Sequence, residues 1–263
     1  MPVKQILNAL DLLEFFARTK RPASLADIQR HFGWPRSSTY NILSTLVERG
    51  YMYEPAHRGG YYPTPRWQRM SDAIVDADRL NEQLSEILKR LAAETGETAI
   101  FAAPAGSYSV YLDVIESPAP IRYAGHPGVR IPIHASASGR ALLSLYNASE
   151  RQQILRKVKF EQYGSNALMS IKAVEREIDA SLERGWFQSL HEYDADLAAV
   201  ALPVNVDGRR LAVTVAGPIF RLGTQCDDAA AILRQVIEDR LGGYDPALDQ
   251  PRSSKKIERA RAL

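Results

Sequence analysis

Several features that would restrict the function of a protein are missing from this sequence of 263 residues. Its one cysteine, Cys226, cannot form a disulfide framework or a cysteine-based zinc site within one chain. No apolar run approaches the roughly 20 residues of a membrane-spanning helix, and the N-terminus lacks a signal-peptide cleavage pattern. No phosphate-binding loop or dinucleotide fingerprint occurs. We therefore expect a cytoplasmic protein with no membrane partner, no metal and no cofactor.

The net charge is almost balanced, at +2, so the chain as a whole is not a strongly basic nucleic-acid binder. The charge is nevertheless uneven. Residues 1–62 contain eight Lys/Arg and five Asp/Glu, and residues 251–263 contain five and one, so the stretch between them is acidic. This asymmetry favours a nucleic-acid-facing end joined to a neutral or acidic module.

A first helix is predicted over residues 4–18. Leu7 and Phe15 fall outside its main apolar arc. They indicate either a second partner for the helix, such as another subunit, or an ordinary helix with two exposed apolar residues. The arc, which we expect to face the core, comprises Ile6, Leu10, Leu13 and Ala17, widened by Ala9, Leu12 and Phe16.

Two short helices joined by a tight turn come next. Ser24 with Asp27 three residues later is an N-cap signal, and Gly33 is a stop signal. Pro35 is expected at the first position of the following helix. Two helices joined by a short glycine-containing turn are typical of a helix-turn-helix.

The second of these helices separates polar from apolar side chains. Thr39, Ile42, Leu43 and Leu46 fall on one side, and short neutral hydrogen-bonding groups fall on the other, near the N-terminus. Such groups suit base edges and phosphates in a major groove, although a plain exposed helix is the alternative. The predicted DNA-contacting residues are Arg36, Ser37, Ser38, Tyr40, Asn41 and Ser44, with Arg58 near the tip of a hairpin "wing" signalled by Gly59-Gly60.

The rest of the chain alternates helices with short strands. Segments including "IRYAG", "WFQSL", "LAAVALPVNV" and "RLAVTVAGP" are predicted as strands, with a hairpin turn at Asp207-Gly208. Hairpin-linked strands flanked by helices predict an α+β fold with a mainly antiparallel sheet. The expected domains are a DNA-binding domain at 1–64, a linker helix at 65–80, an effector domain at 81–245 and a basic tail at 246–263.

Signs of catalysis are sparse. His134 and Ser138 could form a base and nucleophile, but no G-x-S-x-G elbow accompanies them, and packing or capping is the other interpretation. The segment "LHEYDAD" could suggest metal ligands or a solvated loop. Ala137, Ser138 and Gly139 begin a helix, where free backbone amides favour an anion.

Six ordered segments resemble the IclR (isocitrate-lyase-regulator) family of bacterial transcription factors over about residues 3–242. The resemblance implies an N-terminal winged helix-turn-helix and a GAF-like effector-binding domain. It also implies dimers or tetramers on palindromic or direct-repeat operators, and repression or activation, often of aromatic or small-acid catabolism. The segments are "SLADIQRHFGWPRSSTYNILSTLVERGY", "GGYYPTPR", "ETGETAIFAA", "HPGVRIPIHASASGRALL", "ERGW...HEYDADLAAVALPV" and "LAVTVAGP".

The same resemblance implies positions for an effector pocket. Tyr123 is expected on a strand lining it. Ser189 and Ala199 stand where members sensing small acids commonly have Asp and Cys, and Thr214 and Ala216 stand in the family's "S-x-S-G-P" segment. The pocket is thus less polar, which favours a larger, partly apolar ligand such as an aromatic acid. The implied effector residues are Tyr123, Ala137, Ser138, Gly139, Ser189, Ala199, Thr214 and Ala216.

Together these observations predict a DNA-binding transcriptional regulator without catalytic residues. Its expected partners are an operator duplex, a small organic acid, and copies of itself in a homodimer or homotetramer. Two other functions remain open at this point: a ligand-sensing adaptor that acts through protein contacts, and a hydrolase that uses Ser138 and His134.

Overall fold

The computed structural model describes residues 3–55, 60–76 and 80–241. Contacts divide the chain into two compact units, Met1–Arg79 and Leu80–Leu263. The predicted wing residue Arg58 and the predicted basic tail lie outside the described residues. The division of the chain at residues 64, 80 and 245 that was expected from the sequence stays a prediction. Among the described residues, no helix is long and apolar enough to cross a membrane.

The first unit is a helix-turn-helix followed by a two-stranded hairpin, as predicted. Ser24 and Asp27 form a capping box at the second helix, and Gly33 ends it in the left-handed conformation. The hairpin is antiparallel, and Tyr61 extends it through backbone hydrogen bonds to Ala23. The elements are α1 Lys4–Thr19, α2 Leu25–Phe32, α3 Arg36–Glu48, β1 Met52–Tyr53, β2 Tyr62–Pro63 and α4 Arg66–Asp76.

The expected orientation of α1 was correct only in part. Leu12 and Phe16 of the predicted arc are buried, but Ile6, Leu10 and Ala17 are exposed, and Phe15, expected outside the arc, is buried. The rings of Phe15 and Phe16 pack edge-on against Phe32 and Tyr62, and aromatic rings bury more apolar area than the aliphatic side chains that were expected to face the core. The buried residues of α1 are Asn8, Leu12, Phe15 and Phe16.

The start of α3 also differs by one residue from the prediction. Pro35 precedes the helix in an extended conformation, and Arg36 is its first residue. The carbonyl of Pro35 accepts hydrogen bonds from both the amide and the hydroxyl of Thr39, at 3.0 Å each. Thr39 is therefore tied to the helix start, and the polar face begins at Arg36.

The second unit is built on one antiparallel sheet of six strands with the order β5-β4-β3-β8-β7-β6. The predicted hairpin turn is present, with Asp207 and Gly208 both at positive φ. The elements are α5 Leu80–Thr95, β3 Thr98–Ala105, β4 Tyr108–Ile115, β5 Arg130–Pro132, α6 Ala137–Ser144, α7 Ala148–Leu155, α8 Ile171–Arg184, β6 Phe187–Leu190, β7 Leu197–Val206, β8 Arg209–Pro218, α9 Ile219–Leu222 and α10 Cys226–Leu241.

Both faces of this sheet are covered. One face packs against α5 and α10, where the apolar stripe of α5 is buried: Leu84, Ile87, Leu88 and Leu91. The other packs against α6 and α8 and contains Ala137, Ala199 and Ala216. Strands buried on both faces are almost continuously apolar, as β7 and β8 are.

Candidate nucleic-acid interface and ligand cleft

The exposed face of α3 carries most of the predicted DNA contacts. Thr39 and Leu43 are fully buried and anchor the helix, whereas the polar residues are turned away from the core. Tyr40 is 56% exposed although it is a large aromatic residue. The exposed residues are Arg36, Ser37, Ser38, Tyr40 and Asn41, and Ser44 is half-buried with its hydroxyl bonded to the carbonyl of Asn41.

The second unit contains a cleft of about 490 Å³ between two loops. Tyr123 lines one side and Tyr193 the other, with Asp194 and Asp196 near Tyr193. Leu197 and Pro218 also line it, and they are opposite each other on β7 and β8. The cleft therefore lies at the end of the sheet face that packs against α6 and α8.

Small residues continue this sheet face inward from the cleft. Ala199 pairs with Ala216, and each lies two residues along its strand from the cleft-lining pair. Residues two apart on a strand share a face. Ser189 pairs with Ala199, and Thr214 follows on the next row. The hydroxyl of Thr214 is buried and has no hydrogen-bond partner among the described residues.

Tyr123 lies in the segment between β4 and β5, not on a strand as expected. Pro118 and Pro120 in this segment lack the amide protons that a strand would need. The segment is instead held by side chains. Thr98 donates its hydroxyl proton to the carbonyl of Tyr123 at 2.6 Å, and the hydroxyls of Tyr123 and Tyr111 lie 3.2 Å apart.

An ion pair between the buried Glu97 and the partly exposed Arg221 also holds this segment. The Glu97 carboxylate occupies the space that a side chain at position 217 would fill, and it binds Arg221, with one contact at 2.8 Å. Arg221 also donates to the carbonyl of Ile121 at 3.1 Å. This arrangement requires glycine at position 217 and links the cleft-lining loop to the end of β8.

The start of α6 packs against the sheet face that carries Ala199 and Ala216. Its N-cap, Ser136, accepts a hydrogen bond from the amide of Gly139 at 3.1 Å. This amide was expected to be free, and that expectation was wrong. A side chain at Gly139 would collide with the Ile133 carbonyl, which explains the glycine. The amides of Ala137 and Ser138 have no acceptor within the described part of the chain.

An arginine that the sequence analysis missed joins α6 to the edge of the sheet. Arg140 is completely buried and donates to Glu192 at 2.5 Å, to the carbonyl of His134 at 2.9 Å and to the carbonyl of Gln188. Burial raises the pKa of Glu192, while Arg140 opposes that rise. In the sequence, Arg140 is followed directly by the apolar run Ala141–Leu143. This apolar neighbourhood was the one signal that indicated its burial.

The Ser138–His134 pair does not form a catalytic arrangement. Both ring nitrogens of His134 are buried without a partner among the described residues. The Ser138 hydroxyl lies 3.1 Å from that of Ser109 and 3.3 Å from that of Ser136. A serine nucleophile needs a hydrogen bond to its base, and here the serine contacts other hydroxyls.

Comparisons with known protein families match both units. The model of the bacterial transcriptional regulator IclR C-terminal domain matches residues 72–239, and that of the IclR helix-turn-helix domain matches residues 5–55. The chain belongs to the IclR family. It is therefore a transcriptional regulator with a DNA-binding helix-turn-helix and an IclR-type C-terminal domain.

Curated relatives of this IclR-family chain are themselves transcriptional regulators. The HTH-type regulator XynR of Escherichia coli is 26% identical over 255 residues, which cover 95% of this chain and all of XynR. The probable regulator SauR of Cupriavidus necator is 25% identical over 218 residues, covering 82% and 86% of the two chains.

Solved structures share the fold. The IclR protein of Thermotoga maritima has a TM-score of 0.74 and 19% identity, covering 92% of this chain and 99% of that one. An IclR homologue of Microbacterium hydrocarbonoxydans, solved with 4-hydroxybenzoate, has a TM-score of 0.66 and 18% identity, covering 89% and 99%.

The buried histidine of this IclR-family chain predicts a loss of stability in acid. Burial, and secondarily Arg140, lowers the pKa of His134 from 6.5 to about 4. Between these values the unfolded chain binds a proton that the folded chain does not, so the free energy of unfolding falls as the pH falls. His134→Phe should remove about 2 kcal/mol of the decrease between pH 7 and pH 5, measured by urea unfolding.

The matched control is His126→Phe, because His126 is exposed. It should keep the parent's dependence on pH. If the two variants lost stability in acid to the same extent as the parent, the assignment to His134 would be incorrect.

Proposed function

We propose that this regulator binds its operator through the N-terminal face of α3 and that a small organic acid with an apolar body controls this binding. The observation that carries the proposal is the small-residue path from the Tyr123–Tyr193 cleft towards the start of α6. Its sides combine apolar surface with a few polar groups, as ligand sites commonly do.

The carboxylate is assigned to the start of α6. The amides of Ala137 and Ser138 are buried and lack acceptors among the described residues. Buried amides at a helix N-terminus favour an anion through hydrogen bonding and the helix dipole. The Gly139 amide is capped by Ser136, so Gly139 contributes close packing and not a hydrogen bond.

The apolar body is assigned to the space beside Ala199, Ala216 and Tyr123. Alanines at paired positions on β7 and β8 keep the side chains over this part of the sheet short. The unpartnered hydroxyl of Thr214 supplies a polar contact for a ring substituent, because a buried hydroxyl without a partner is unfavourable. Ser189 already contacts the Ala135 carbonyl at 3.4 Å, a long and weak hydrogen bond.

The acidic rim of the cleft supports this orientation of the ligand. Asp194 and Asp196 line the rim, whereas the nearby Arg122 is paired with Glu116 at 2.8 Å. A carboxylate would be repelled there, so the acid must place its neutral end outward. The Microbacterium homologue solved with 4-hydroxybenzoate, a phenolic acid, agrees with this ligand class.

Control of DNA binding then follows from differential affinity. An effector that binds one arrangement of the regulator more tightly than another increases the population of that arrangement. The coupling acts in both directions, so operator DNA should change effector affinity by the same factor.

Removing base contacts from α3 should weaken operator binding. Asn41→Ala or Arg36→Ala should each cost about 1–3 kcal/mol and relax the base preference at one position. Gel-shift titration on a duplex that the parent selects from a random-sequence pool measures both effects. Unchanged affinity in the double variant would show that this face does not read DNA.

The exposed side of α1 is proposed as a contact with a second copy of the chain, so that the two half-sites are related by symmetry. Replacing Ile6 and Leu10 by Glu should lower the oligomer mass seen in light scattering, whereas Arg18→Glu on the same helix should not. A parent that is monomeric at micromolar concentration, with and without DNA, would refute the pairing. The apolar residues of this side are 45–60% exposed: Val3, Ile6, Leu7 and Leu10.

The effector assignment is tested by calorimetry with hydroxylated aromatic acids and with short aliphatic acids such as glyoxylate and pyruvate. We expect binding of an aromatic acid, and we expect Ala199→Phe to abolish it by filling the proposed space. Ala103→Phe on β3, outside the proposed site, controls for the added ring. Tight binding of the short acids alone, or an Ala199→Phe variant that binds as the parent does, would contradict the assignment.

A further inference from the structure

A groove of about 360 Å³ lies beside the recognition face, between α1 and α3. Ile42 and Leu46 give it an apolar lining, to which Trp34 adds an aromatic surface. Ser38 and Asn41, two of the proposed DNA contacts, also line it. The groove is therefore continuous with the face of α3 that is assigned to the major groove.

Asn8 is an unexplained residue of this groove. It is 7% exposed, on a helix whose other buried residues are apolar. Within the described part of the chain, its side-chain amide makes no hydrogen bond, although an amide has two donor hydrogens and an acceptor oxygen. The polar atoms of this amide are not among the buried atoms without a partner, so they are accessible from the groove and can donate to an occupant.

The charge of the groove selects an anionic occupant. Lys4 lines it beside Gln5 and has no carboxylate partner among the described residues. The lining residues include no aspartate and no glutamate. The other apolar surface of α1, formed by Val3, Ile6, Leu7 and Leu10, does not line the groove, so an occupant here does not compete with the proposed pairing of two copies.

We infer that the groove holds the sugar–phosphate backbone of the DNA strand that flanks the major groove, with Lys4 and Asn8 at one phosphate. Lys4 supplies the charge, the Asn8 amide donates to a phosphate oxygen, and Ile42 and Leu46 face the sugar. Such contacts position a protein on DNA without reading its sequence. This inference depends on the proposed binding of DNA by α3.

The first test removes one positive charge from either end of α1. Lys4→Gln should weaken binding by roughly eightfold at 0.1 M salt and reduce the slope of log K against log salt by about 0.9, the effect of one lost phosphate contact. The loss should be equal on the parent-selected duplex and on a random-sequence duplex. Lys20→Gln, about 24 Å away along the helix, should leave both quantities at the parent's values.

The second test separates DNA contact from a structural role of Asn8. Asn8→Leu has a similar size and replaces the groove-lining amide by an apolar side chain beside Ile42 and Leu46, so its thermal midpoint should equal or exceed that of the parent. Its affinity for both duplexes should nevertheless fall by roughly tenfold, because hydrogen bonds to charged groups are strong. Asn8→Leu that unfolds earlier but binds DNA as the parent does would assign Asn8 to the fold and overturn the inference.

The two proposals can fail separately. If Lys4→Gln matches Lys20→Gln on both duplexes while Asn41→Ala still relaxes the base preference, the groove does not bind the backbone and recognition by α3 stands. If Asn8→Leu is stabilised with unchanged DNA binding, the groove takes another ligand and the inference is again wrong. A parent that binds neither duplex would overturn both proposals.

Discussion

The buried guanidinium of Arg140 is the contact on which the C-terminal unit's candidate site depends. A charge removed from water is tolerated only when it is paired and hydrogen-bonded. The two terminal nitrogens of Arg140 bind Glu192 and carbonyls of the segment before α6 and of β6, while its Nε has no partner among the described residues. These bonds hold the start of α6 beside the edge strand that carries Ser189. Both walls of the proposed site are thus joined by one side chain that does not line the cleft.

The antiparallel sheet, which is covered by helices on both faces, restricts where a ligand site can form in the C-terminal unit. Helices cover both faces, so each strand is apolar almost throughout. Space for a ligand then arises only where the side chains are small, as at Ala199 and Ala216, or where a loop replaces a helix. The loop with Tyr123 serves this purpose because Thr98 and the Glu97–Arg221 pair hold it without strand pairing.

In the DNA-binding unit, one helix satisfies several requirements at once. The α1 helix buries Leu12, Phe15 and Phe16 in the core and exposes a second apolar surface. At its N-terminal end, the core-facing side continues with Asn8, which together with Lys4 lines the groove beside α3. An amphipathic helix needs only one apolar stripe, so we propose partners outside the fold for the exposed apolar surface and for the groove: a second copy of the chain and the DNA backbone.

Local sequence determined the elements whose signals lie within a few residues of each other. The Ser24–Asp27 capping box, the Gly33 stop, the Asp207-Gly208 turn and the polar face of α3 were all predicted from spacing, because caps, turns and helical periodicity are local properties. Tertiary structure decided the rest. It chose which apolar side of α1 is buried, since the aromatic rings that pack there come from distant segments. It placed Tyr123 on a loop, capped the Gly139 amide and buried Arg140 opposite Glu192, 52 residues away. The cost of burying a charge or a hydroxyl depends on partners that only the folded chain brings together.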